Sequence, residues 1–251
     1  MRIFKTLTTW QNFRKTLAKE DLGFVPTMGA LHDGHLSLVE KSLSQNRFTC
    51  VSIFVNPTQF NDKNDYSKYP NRLQADTKTL EKLGVNALIV PKEKDIYHDE
   101  FNFTVAENSL SKILEGKFRP GHFEGVLTVV AKLLNIVRPK NVYFGKKDFQ
   151  QYLLIKKMVR ALFFDCRVVL CETKREKSGL ALSSRNLLLS QKQREYAAWF
   201  YKILKKNVSD NKKRELLEEL GFEVDYVQTY SKRVLGAIHY KGVRLIDNVT
   251  K

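Results

Sequence analysis

The sequence predicts an α/β protein, a doubly wound, Rossmann-like parallel sheet followed by a smaller C-terminal α+β domain. Three observations predict it. Apolar, β-branched runs alternate with amphipathic stretches over the first two-thirds of the chain. That alternation stops near residue 176. With 251 residues, 43% of them hydrophobic, the chain can fill one large or two modest cores.

The elements follow in order. TLTTWQNFRKTL (6–17) has helical spacing and leads to the apolar run LGFVPT (22–27). HLSLVEKSLSQ (35–45) reads as a helix with Leu36, Val39 and Leu43 on one face. TCVSIFV (49–55) is a continuous β-branched run, the pattern of a strand buried on both sides. NRLQADTKTLEKLG (71–84) is helical with Gly84 as its stop, and VNALIV (85–90) is the next strand. EGVLTVVAKLLNIV (124–137) and FQQYLLIKKMVRALF (149–163) read as helices, NVYFG (141–145) and CRVVLCET (166–173) as strands. Beyond them SQKQREYAAWFYKILKK (190–206) reads as one helix and RELLEELG (214–221) as another. FEVDYVQTY (222–230) and GAIHYKGVRLIDNV (236–249) read as short strands with a turn at Lys241-Gly242. Residues 1–175 are therefore assigned to the first domain and 176–251 to the second.

The net charge of +16 admits a nucleic-acid partner, but the basic residues are spread along the whole chain without an aromatic-flanked basic motif. A general lysine bias is the simpler reading, with the Lys-rich stretches near 202–214 as solvated helix faces. MRIFKTLTTWQNF has neither a long apolar run nor a small-residue cleavage site, so no signal peptide is expected. No stretch approaches the roughly 18 to 20 apolar residues that cross a bilayer. Three cysteines in or beside apolar runs suit buried, reduced thiols and a cytoplasmic location.

The stretch FVPTMGALHDGHLSLVEKS (24–42) is the place to look for chemistry. A strand stops, two glycines and two histidines crowd into a loop, and a helix begins. In a doubly wound sheet such a loop binds phosphate, because free N–H groups and the helix dipole face the anion. Gly29 and Gly34 allow close backbone approach. The loop is neither a Walker A motif nor GxGxxG, and Gly116 to Gly121 also lacks the Lys-Ser/Thr of a P-loop. His32 and His35 could share a metal, but Gly34 between them speaks for a loop, and HDGH lacks the glutamate spacing of zinc proteases. Either histidine by itself could simply hydrogen-bond within the turn. Together, at a strand end and a helix start, they favour stabilising developing phosphate charge.

Pro-Thr-Met-Gly-Ala-Leu-His-Asp-Gly-His (26–35) resembles the signature of the pantothenate synthetase (pantoate–beta-alanine ligase) family, in the nucleotidyltransferase superfamily with a HxGH-type loop. Further segments resemble that family in the same order. They are Phe54 to Phe60, Leu114 to Gly116, Arg119 to Val126, Phe144 to Gln151, Gly179 to Asn186 and Arg244 to Asn248.

The resemblance implies a two-step reaction. Pantoate attacks the α-phosphate of ATP and releases pyrophosphate; beta-alanine then attacks the pantoyl adenylate to give pantothenate and AMP. It implies that Met28, Gly29, Ala30, Leu31, His32, Asp33, Gly34 and His35 form an ATP loop, with His35 the catalytic proton donor. Gly145, Lys146, Lys147 and Asp148 would be a second ATP segment, with Lys147 a point charge for phosphate. Leu182, Ser183, Ser184 and Arg185 would close on ATP, and Lys174 would border adenine. Gln59 and Gln151 would bind pantoate, Gln59 also lying near beta-alanine, since an amide both donates and accepts. Asn56 would be a neighbour in the same pocket. Mg2+ would accompany ATP, its protein ligands unassigned. The second domain would be a lid, and the chain would form a homodimer without nucleic acid or membrane. The alternatives are another adenylyltransferase of this fold or a basic RNA-binding module. The sequence departs from the family at Asn71 with Arg72 one place later, at Lys174 and at Ser178. None of these touches the two histidines or the two glutamines.

Overall fold

The structure, a computed structural model, describes residues 1–17, 21–61, 66–67 and 69–251. Among them the strands are β1 (Arg2–Phe4), β2 (Leu22–Thr27), β3 (Phe48–Ile53), β4 (Ala87–Ile89), β5 (Asn141–Gly145), β6 (Arg167–Cys171), β7 (Glu223–Tyr230), β8 (Arg233–Tyr240) and β9 (Val243–Thr250). The α-helices are α1 (Leu7–Arg14), α2 (Asp33–Gln45), α3 (Leu73–Lys82), α4 (Glu93–Ile96), α5 (Glu115–Phe118), α6 (His122–Val137), α7 (Phe149–Ala161), α8 (Gln191–Ala197), α9 (Trp199–Leu204) and α10 (Asp210–Glu219).

Two compact units result. The first comprises Met1–Leu31, His35–Gly145 and Gln150–Cys171; the second comprises His32–Gly34, Lys146–Phe149 and Glu172–Lys251. The main cut thus falls after Cys171, and two short segments from the predicted first domain are counted with the second unit.

In the first unit a six-stranded sheet runs β1-β4-β3-β2-β5-β6 with every pairing parallel. Parallel strands need covered faces, and the side chains show both covered. Val25, Val51, Leu88 and Tyr143 join Leu38 and Val39 of α2 and Leu80 of α3 in one apolar cluster. The alternate positions Phe24, Cys50, Ile89 and Val142 are equally buried on the other face. Twelve of the 16 residues of α6 are buried, so that helix is covered nearly all round. Helix α2 buries Leu38, Val39 and Ser42 and packs Leu43 against the same cluster, so the predicted face of Leu36, Val39 and Leu43 holds at Val39 and Leu43 and shifts from Leu36 toward Leu38 and Ser42. The reason is Gly23: a Cβ there would lie 2.3 Å from Ser42 Oγ and 2.4 Å from Asn46 Nδ2, so α2 sits directly on the β2 backbone.

The second unit packs α8, α9 and α10 on an antiparallel sheet ordered β7-β8-β9. Its core includes Ala197, Phe200, Leu204, Leu217, Val234, Ile238, Leu245 and Val249. The turn at Lys241-Gly242 has φ of 51° and 74°, as a two-residue hairpin requires. The helix predicted over 190–206 is two helices that meet at Ala198. Lys213, placed among solvated lysines by the sequence, is buried and donates from Nζ to Val208 O at 3.1 Å. Cys50 and Cys171 are buried, Cys166 is half-buried, and all three are free.

Candidate active site

Strand order dictates where ligands collect. From β2 the chain runs outward to β3 and β4, then returns to place β5 on the other side of β2. The carboxyl ends of β2 and β5 are therefore a topological switch point, the usual ligand crevice of an open parallel sheet. The loop 28–32 leaves β2 there, and the turn Lys146–Asp148 leaves β5.

In the first unit the loop backbone is held from a distance. Thr27 Oγ1 donates to Ser52 O and accepts from Gly29 N at 3.2 Å. Gly29 and Ala30 both have positive φ, 80° and 50°. For alanine this left-handed backbone is unfavourable and needs compensation. Asp76 of α3 supplies it, accepting from Ala30 N at 2.8 Å and Leu31 N at 3.0 Å. Two of the loop donors read as phosphate ligands are thus occupied by a buried carboxylate. The next donors along the chain are those of the first turn of α2, where Gly34 N is given to His32 Nδ1 and His35 is the third residue.

Gln59 lies in the same unit, on a 3-10 turn at the end of the chain leaving β3. Its backbone oxygen accepts from Arg119 Nη2 at 3.1 Å and from His122 Nδ1 at 2.8 Å, so Arg119 and His122 fix that turn. Its side-chain Oε1 accepts from Asn56 Nδ2 at 3.2 Å. The Asn56 amide is oriented in turn, since its Oδ1 accepts from Tyr97 Oη at 2.6 Å and Thr58 Oγ1 at 3.0 Å. With Oε1 engaged, Nε2 is the donor of the Gln59 side chain. Gln151 follows the buried Gln150, whose side chain braces the backbone of Leu110, Ile113 and Glu115 in the segment before α6.

The second unit gathers the other candidate residues. His32 Nδ1 accepts from Gly34 N at 3.1 Å, so the neutral ring carries its proton on Nε2. Burial, and then the Lys147 ammonium, lower the His32 pKa from 6.5 to about 4. A Cβ at Gly34 would lie 2.8 Å from the His32 ring and 3.7 Å from Leu182 Cβ, which brings the 182 segment beside the histidine loop. Leu182 N donates to Lys174 O at 3.0 Å, so the Lys174 carbonyl is occupied while its side chain is exposed. Ser183 caps the 3-10 turn Ser184–Leu188, accepting from Arg185 N at 3.3 Å. Lys147 Nζ lies 3.3 Å from Asp148 Oδ1. No group of three His, Cys, Asp or Glu among the described residues could hold a metal by itself.

The neutral His32 has a measurable consequence. Between pH 6.5 and 4 the unfolded chain takes up a proton that the folded chain refuses. Stability from this group is therefore complete above pH 6.5 and is lost as pH falls through about 4. A histidine C–H titration followed by NMR is expected to place the His32 midpoint near 4. A midpoint at or above the ordinary histidine value would show that the ring is solvated instead.

Residues 2–250 match the sequence profile of the Pantoate-beta-alanine ligase family. The chain belongs to that family. It is 49% identical over 249 residues to the pantothenate synthetase of Legionella pneumophila (strain Philadelphia 1), covering 99% of each chain. A crystal structure of pantoate-beta-alanine ligase from Francisella tularensis, complexed with beta-gamma ATP and beta-alanine, has a TM-score of 0.94 and 44% identity. The match covers 100% of this chain and 97% of that one. Pantothenate synthetase from Thermus thermophilus has a TM-score of 0.91 and 39% identity, over 100% and 99% of the two chains. Membership of the ligase family disfavours both the RNA-binding alternative and an adenylyltransferase acting on a different acid. No helix among the described residues is long and apolar enough to cross a membrane.

Proposed function

We infer that the chain condenses (R)-pantoate with beta-alanine at the expense of ATP, giving pantothenate, AMP and pyrophosphate. The observation that carries this reading is the HDGH loop at the carboxyl end of β2, beside β5, opening a 13-residue helix. In the first step a pantoate carboxylate oxygen bonds to the α-phosphorus while the bond to pyrophosphate breaks. Charge grows on the phosphate oxygens, where the α2 N-terminus and the His35 ring stabilise it and His35 donates its proton. In the second step the beta-alanine amine attacks the acyl carbon, AMP leaves, and the nitrogen gives up a proton. Lys147, Ser183, Ser184 and Arg185 take phosphate oxygens in this reading, and Gln59 and Gln151 read pantoate. Mg2+ would be carried by the nucleotide's phosphates with few protein ligands and would supply further charge neutralisation.

The test is an assay of AMP and pyrophosphate with pantoate and beta-alanine omitted in turn. Pyrophosphate release that needs pantoate, and AMP release that needs both, is the expected pattern; release indifferent to pantoate would overturn it. Gln59→Ala is expected to weaken pantoate binding by about 1 to 3 kcal/mol, and ATP binding by less, because a ligand oxygen loses its half-buried donor. Equal losses for the two ligands would show that Gln59 shapes the loop instead of reading pantoate.

We also place the chain in the cytoplasm, as its free thiols suggest, and propose that it is a homodimer. Supporting the dimer, β6 is an edge strand, and Leu162 and Phe163 just before it are 50% and 92% exposed. Light scattering on the purified chain decides the last point.

A further inference from the structure

We propose that Asn248, at the far end of the chain, positions the Lys146–Asp148 turn for phosphate by gripping its backbone. The proposal rests on the reading of Lys147 as a phosphate lysine and adds the residue that presents it.

Asn248 lies on β9, where Val243, Leu245 and Val249 point into the apolar core of the second unit. Alternation puts Asn248 on the opposite face, yet it is 2% exposed. A buried amide is tolerated only when its polar atoms are satisfied, and here each is. Nδ2 donates to Lys146 O and to Lys147 O, both at 2.9 Å. Oδ1 accepts from Arg233 Nε at 2.6 Å. Exchanging the ends of this amide would set an oxygen against two carbonyl oxygens and an NH2 against a guanidinium. The environment therefore permits one orientation.

The grip is specific to the turn. Two consecutive carbonyls face Asn248, so planar trans peptides turn the N–H groups of Lys147 and Asp148 away from the strand. The next residue, Phe149, lies under the Arg233 guanidinium at 5.2 Å. Arg233 thus holds the turn twice, by stacking on Phe149 and by orienting Asn248. Behind them Asp247 Oδ1 accepts from Asn248 N at 2.7 Å, and both Asp247 oxygens accept from Arg175. The flanking residues Gly145 and Gln150 belong to the first unit, whereas Lys146–Phe149 belongs to the second. The turn and Asn248 thus belong to the same unit. A residue needed only for packing would not have to be a double donor aimed at adjacent carbonyls.

The discriminating variant is Asn248→Asp, which keeps the size and the Arg233 contact but cannot donate to the two carbonyls. Pyrophosphate release from ATP and pantoate is expected to fall roughly tenfold or more, through a raised KM for ATP, as for the loss of hydrogen bonds that fix a charged group. With chemically prepared pantoyl adenylate and beta-alanine, AMP release should stay within about twofold of the parent, because no pyrophosphate-bearing nucleotide is involved. A poorly folded variant would lose both half-reactions, and proportional loss of both overturns the proposal. Lys147→Ala is measured alongside. Asn248→Asp added to Lys147→Ala should then change the first step by less than about twofold. Multiplicative losses would mean that Asn248 acts elsewhere and would overturn the proposal. A normal first step in Asn248→Asp with an impaired one in Lys147→Ala sinks the Asn248 role and leaves the lysine reading intact. A normal first step in Lys147→Ala sinks both.

Discussion

His35→Ala is expected to slow adenylate formation about a hundred- to thousandfold while the fold survives. His35 sits in the first turn of α2, half-buried and outside the apolar cluster formed by Leu38 and Val39. In the proposed reaction, truncating it removes a donor from the place where phosphate charge develops and leaves the helix-to-sheet packing in place. Pantoate-dependent pyrophosphate release measures the first effect, and a thermal melt measures the second. Turnover within severalfold of the parent would remove His35 from the mechanism. A melt lowered as much as by a core substitution would mean that the ring is there for packing.

The second large effect concerns stability. Arg175→Met is expected to destabilise the second unit by about 3 to 5 kcal/mol, the range for removing one partner of a buried ion pair. Asp247 is 4% exposed, and both of its oxygens are held by Arg175. Burial already raises the Asp247 pKa against the opposing pull of that guanidinium. Without Arg175 the pKa rises further, so the defect is largest at neutral pH. It shrinks as acid neutralises the stranded carboxylate. The variant also loses the stacking of Arg175 on Tyr201, at 3.7 Å, which acid cannot restore. Thermal melts across pH, with proteolysis mapping the susceptible segment to 172–251, check this. A loss that does not depend on pH would mean that Asp247 is adequately solvated by other groups. Adding Asp247→Leu to Arg175→Met should recover part of the stability, because the lone buried charge is then gone.

The two cases show what a linear sequence can and cannot disclose. His35 lies in a contiguous motif, and its neighbours in the chain are its neighbours in the loop. The strand and helix alternation was equally visible, because parallel strands buried on both faces leave long apolar runs. Strand β1 was not, since Arg-Ile-Phe is too short to show a period. The junction at Ala198 was not, since it contains no Gly or Pro to mark it. Residues that act through space were the least legible. Asp76 reaches Ala30 across 46 positions, His122 reaches Gln59 across 63, and Asn248 reaches Lys147 across 101. Asp76 stands in an ordinary amphipathic helix, where an aspartate signals solvent. Only the left-handed Ala30 backbone gives it a task, and that conformation cannot be read from an alanine in the sequence.

Gly23 carries a further consequence. Helix α2 is about 20 Å long at the usual rise per residue, with His35 near one end and the Ser42–Asn46 contact with Gly23 at the other. The helix is a lever resting on a bare backbone. Wedging a methyl group under its tail, with a displacement of about 1 Å, would tilt it by roughly six degrees about its middle and move the end that carries the imidazole by a comparable distance. Chemistry that depends on alignment is sensitive to shifts of that order. A position near the start of β2 thereby sets the height of the imidazole proposed to act on the phosphate.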